Sequence, residues 1–180
     1  MTISYDRIVR VGAIAAFSTL LLAACSANTD APEATSGPAA ESVTITDAWV
    51  KAADEGMSAA FGELHNSGAD DVTVVSATTD AADMIELHET VENEAGAMVM
   101  REIEGGFVIP ASRALVLEPG ADHIMLMGLT GAMAAGQEIS FTLTFSDDST
   151  YEFTAPVKDY AGANESYEDD MDHAAETDAE

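Results

Sequence analysis

A chain of 180 residues has room for one domain of about 110 to 120 residues once a targeting segment and tails are set aside. Its 33 acidic and 6 basic side chains give a formal charge of −27. That balance excludes a nucleic-acid partner, because a phosphate-binding surface needs clustered Lys and Arg; the same field favours solubility, suits a salty medium and gathers cations near the surface.

Taken in order, the chain opens with an export signal over residues 1–24. Arg7 and Arg10 precede the apolar run VGAIAAFSTLLLAA, which is too short to span a bilayer comfortably. The run ends in Leu22-Ala23-Ala24-Cys25, which resembles the lipobox of bacterial lipoproteins. The resemblance implies cleavage before Cys25, diacylation of that cysteine and an extracytoplasmic protein held to a membrane by lipid. It also accounts for a lone thiol in an exported chain. An uncleaved anchor, or an ordinary signal peptide with an incidental cysteine, is the alternative. Residues 25–41 follow as a flexible tether, rich in small residues and Pro and without an apolar period.

Residues 42–158 form the folded domain. Short runs rich in Val, Ile, Thr and Phe, punctuated by Gly, Asp and Asn, predict strands at 43–50, 57–65, 71–78, 83–90, 97–103, 106–109, 114–118, 123–129, 138–145 and 150–157. Asp147-Asp148, between two alternating runs, marks a hairpin. Many short strands without a helical period predict an all-β chain folded as a β-sandwich or Greek-key barrel. Met57 and Met84 read as apolar packing. Residues 159–180 are acidic and poor in large aliphatics, so they are expected to lack order. Met171 and His173 in that tail are incidental residues or a loose metal catch.

The chemistry is concentrated between His88 and Met127. Along a strand, side chains at i, i+2 and i+4 share a face, so His123, Met125 and Met127 point one way and Ile124 and Leu126 the other. His88 opens the stretch, and Met98 and Met100 lie past a polar turn. Thioether sulfur is soft and neutral and favours Cu(I); hard cations take oxygens, and structural zinc usually takes thiolates. Cys25 lies far from the stretch, so a blue-copper centre lacks its thiolate. A Cu(I) site of imidazoles and thioethers remains, drawn from His88, Met98, Met100, His123, Met125 and Met127.

These residues resemble the motif of the periplasmic copper chaperone family usually called PCuAC: a His, a position that is often Met, ten residues, a Met, about twenty-one residues, then His-x-Met. Here His88 is followed by Glu89, ten residues, Met100, 22 residues and His123-Ile124-Met125. The chain departs from the motif in carrying Glu89 at the often-Met position, where Met98 could substitute, and one extra residue before His123. The resemblance implies a cupredoxin-like β-sandwich that binds Cu(I) near its surface, with His88, Met100, His123 and Met125 as ligands and Met98 and Met127 as auxiliary candidates. It further implies delivery of that copper to the dinuclear copper centre of cytochrome c oxidase, with the oxidase subunit or a thioredoxin-like copper-site assembly protein as partner.

Catalysis is not expected, since no Ser-His-Asp or Cys-His arrangement and no phosphate-cradling Gly loop is present. Two other readings compete: a membrane-anchored adhesion or assembly lipoprotein whose methionines are only core, and a copper storage or resistance protein with the acidic tail as scavenger.

Overall fold

The computed structural model describes residues 37–162 and the backbone of 166–167. A single helical turn, α1 (Ala39–Ser42), leads into β1 (Val43–Lys51), β2 (Met57–Asn66), β3 (Val72–Thr78), β4 (Ala82–Glu92), β5 (Met98–Glu102), β6 (Phe107–Ile109), β7 (Ala114–Leu117), β8 (His123–Leu129), β9 (Glu138–Phe145) and β10 (Thr150–Lys158), and a two-residue β11 (Ser166–Tyr167) follows. The ten runs read as strands correspond to β1–β10. β11 lies within the acidic tail and pairs in parallel with β5 at Val99 and Met100. The last residues read as tether, Ala39–Glu41, lie instead in α1. Cys25, Met171 and His173 lie outside the described residues.

The strands follow the order β11-β5-β4-β8-β2-β1-β10-β9-β3-β6, with β7 also on β2. Their side chains pack as a β-sandwich: Leu64, Leu87, Ile124 and Leu126 from β2, β4 and β8 share one core with Val74, Phe107, Phe141, Leu143, Phe145 and Phe153 from the β3-β6-β9-β10 side. Alternation produces this directly, since Phe141, Leu143 and Phe145 of β9 are buried at every second position, as are Phe153, Ala155 and Val157 of β10. The two layers join where β1 and β10 pair in parallel at Val50–Val157 and Lys51–Lys158.

Two local features set the frame. β1 shifts register between Thr46 and Trp49, with Asp47 at φ +52°, and this bulge seats Trp49 against Phe61 at 4.6 Å between ring centroids. In the β9–β10 hairpin, Asp148 takes φ +63°, as the Asp-Asp turn requires. Asp147 there accepts hydrogen bonds from the Ser149 hydroxyl at 2.6 Å and the Ala39 amide at 2.8 Å, fastening α1 to the hairpin. Chiefly through Ser149, these bonds hold the Asp147 carboxyl below its ordinary pKa.

Candidate metal centre

β8 has the sequence HIMLMGL, and its first five side chains are all buried. Ile124 and Leu126 enter the main core, whereas Met125 and Met127 join Met100 in a second buried cluster. The alternation of the strand therefore divides β8 between two apolar environments on opposite faces of one sheet.

The registers of the flanking strands assemble the second face. His88 of β4 lies directly opposite His123, Glu86 opposite Met125 and Met84 opposite Met127. On the other side of β8, β2 places Ala59 opposite Met125 and Met57 opposite Met127. β5 adds Met100 opposite Thr90 and Met98 opposite Glu92. Directly opposed residues project to the same face, so one face carries both imidazoles and six methionines. The His88 and His123 rings meet edge-on, 5.5 Å apart between centroids and inclined at 73°. A cavity of about 200 Å³ opens there, lined by His123, Met100, Met125 and Met57, with Lys51 and Phe61 also on its wall.

Hydrogen bonds select the tautomer of each ring. His88 Nε2 lies 2.8 Å from the Glu86 carboxylate, and His123 Nδ1 lies 2.9 Å from the Ala121 carbonyl oxygen. Both oxygens are acceptors, so these nitrogens carry the protons. The lone pairs then reside on His88 Nδ1 and His123 Nε2, both buried atoms. A ring donating one N–H to a carboxylate or carbonyl while turning its other nitrogen inward has the arrangement of a metal-binding histidine.

Other charges frame the site without entering it. Glu89 receives a forked contact from Arg101, Nε at 2.9 Å and a terminal nitrogen at 2.8 Å. Burial pushes the carboxyl of Asp122 above its ordinary pKa, and the Glu89 charge adds to the rise. Lys51 donates to the Gly162 carbonyl at 2.6 Å, and Tyr160 packs edge-on against Trp49 at 5.3 Å, so the chain beyond β10 runs along this side of the molecule.

The structure thus brings His88, His123, Met100 and Met125 onto one face, with Met127 in the same buried cluster. Met98 shares β5 with Met100 but is 48% exposed and outside that cluster. Met57 and Met84 differ from the expectation of core packing: they are 44% and 51% exposed, because both fall on the outer face beside Met127. Sequence reasoning also missed Glu86, which strand parity signals two residues before His88, and the Ala121 carbonyl, for which no sequence signal exists. Among the described residues, no three His, Cys, Asp or Glu side chains group as a metal site.

This β-sandwich shares its fold with PCuAC domains. The apo PCuAC domain from PmoF1 shares the fold with a TM-score of 0.57 at 17% identity, over 66% of this chain and 95% of that one. CuI-DR1885 from Deinococcus radiodurans matches with a TM-score of 0.53 at 27% identity, over 69% of this chain and 85% of that one. The chain belongs to the LpqE-like family, described as "Putative lipoprotein LpqE-like", whose model matches residues 43–157. The "Putative lipoprotein Lxx21020" of Leifsonia xyli subsp. xyli (strain CTCB07) is 48% identical over 161 residues, covering 89% of this chain and 96% of that protein.

Proposed function

We propose that this protein is an extracytoplasmic, lipid-anchored chaperone that carries Cu(I) as cargo and performs no catalysis. The observation that carries the reading is the cross-strand pair His88–His123 on the sheet face that also carries the buried Met100 and Met125, with His123, Met100 and Met125 lining one cavity. Two neutral nitrogens and two thioethers match the softness of Cu(I), and none of them has to lose a proton to bind. Met127 and Met98 are auxiliary sulfurs, the first within the cluster and the second on the exposed margin.

Neutral ligands also suit release. Each Cu–ligand bond can be exchanged singly for one from a recipient, so cargo leaves without a free ion. We assign the dinuclear copper centre of cytochrome c oxidase as the destination, reached directly or through a thioredoxin-like assembly protein; the resemblance to the PCuAC motif supports this, and the CuI-loaded structural relative supports Cu(I) as the cargo. Cys25 supplies the anchor, and the similarity to a lipoprotein supports that assignment.

The test is an anaerobic competition titration of the full chain against a chromophoric Cu(I) chelator. One tight equivalent is expected, abolished in Met100→Ala/Met125→Ala and weakened in His88→Ala/His123→Ala. Affinity should also fall on acidification, because a protonated imidazole cannot ligate. Tight binding retained in both double variants would sink the site. Delivery is read separately, by mixing the loaded chain with the apo copper domain of an oxidase; copper that stays on the chaperone would indicate storage.

A further inference from the structure

Beyond the buried site, the same face carries a row of methionines that the proposed function leaves unexplained. Met57, Met127 and Met84 stand directly opposite one another on three adjacent strands, β2, β8 and β4. Opposed residues have Cβ atoms about 4.5–5.5 Å apart, and three rotatable bonds let each thioether swing toward a common point. The central residue, Met127, is buried at 9% exposure, while its two neighbours are about half exposed. Burial does not account for that composition, since exposed strand positions normally carry polar side chains.

We propose that Met57, Met84 and Met127 form a second, outer site for Cu(I), through which the ion passes between solvent and the buried centre. Three neutral sulfurs and no nitrogen make a soft-cation site whose ligands do not titrate. Met127 links it inward, because it packs in one cluster with Met125 and Met100, and Met57 lines the cavity that also reaches His123. Each step of the passage forms one Cu–S bond as another breaks. The copper remains Cu(I), so neither electron nor proton has to be supplied. The role as relay rests on the buried site being a Cu(I) centre, but the outer site is defined by its own three residues.

Ag(I), a redox-inert soft ion, can be titrated into the full chain labelled with ¹³C at the methionine methyls and held in detergent. Each methionine contributes one signal, assigned by single substitution. The first equivalent is expected to move the Met100 and Met125 methyls, and the second to move those of Met57, Met84 and Met127. The second should persist at acidic pH, where the first weakens. In Met84→Leu, which nearly conserves volume at an exposed position, the second equivalent should vanish and the first remain. Loading of the buried site from a Cu(I)–chelator complex should slow in that variant at unchanged affinity. A wild type that takes no second equivalent, or a variant that still takes it, overturns the outer site; an unchanged loading rate overturns the relay. Failure of the first equivalent to move Met100 and Met125 would instead count against the buried centre, leaving the outer row to be judged by its own signals.

Discussion

Glu86 selects which nitrogen of His88 carries the proton. Its carboxylate accepts from Nε2 at 2.8 Å, fixing both the tautomer and the ring angle. Removing such an outer partner commonly costs about 10- to 100-fold in metal affinity. Glu86→Gln should therefore bind Cu(I) about tenfold or more weakly in chelator competition, with an unaltered near-UV spectrum. Equal affinity would mean that packing alone orients the ring. This residue was legible in principle, since it sits two positions from His88 on the same strand face. His123 is different: its partner is the main-chain carbonyl of Ala121, and a carbonyl carries no mark in the sequence.

β8 shows how one strand can serve stability and binding separately. Leu126 is fully buried in the main core, and Met125 is buried in the smaller cluster on the reverse face. Truncating a core Leu to Ala costs about 2–5 kcal/mol, the transfer free energy of the lost methyls plus that of the cavity left behind. Leu126→Ala should lower the urea midpoint by a corresponding amount while each folded molecule still takes its tight copper equivalent. Met125→Ala should do the reverse, losing copper with a smaller drop in midpoint, because its side chain borders an existing cavity that water can enter. Copper loss in the Leu126 variant with retention in the Met125 variant would contradict this division. The alternation that separates the two roles was visible in HIMLM, but burial of both sets was not, since period-2 alternation normally pairs a buried face with a wet one.

For the molecule as a whole, the dominant electrostatic fact is the formal charge of −27. Like charges repel and lower the stability of a folded domain, and salt screens them, with the Debye length falling from about 30 Å at 0.01 M to about 3 Å at 1 M. The apo protein should therefore gain several degrees in Tm as NaCl rises across that range, measured by differential scanning calorimetry. A Tm that falls with salt would show that attractive pairs such as Arg101–Glu89 outweigh the repulsion. The same negative field raises the local concentration of a monovalent cation around a face whose own ligands are neutral.

Strand identity and side-chain parity followed from the sequence by itself. Period-2 alternation is local, and β9 and β10 show it residue by residue, as does the Asp147-Asp148 turn between them. The sequence also placed His88, Met100, His123 and Met125 in one motif, because their spacing resembles a known pattern. Which of them meet was decided by the tertiary structure. Register across β4, β8, β2 and β5 depends on pairings between residues tens of positions apart, and no local preference encodes them. That register set His123 against His88, and it lined Met57 and Met84 up with Met127 on the outer face, although their sequence contexts alone suggested two more core residues.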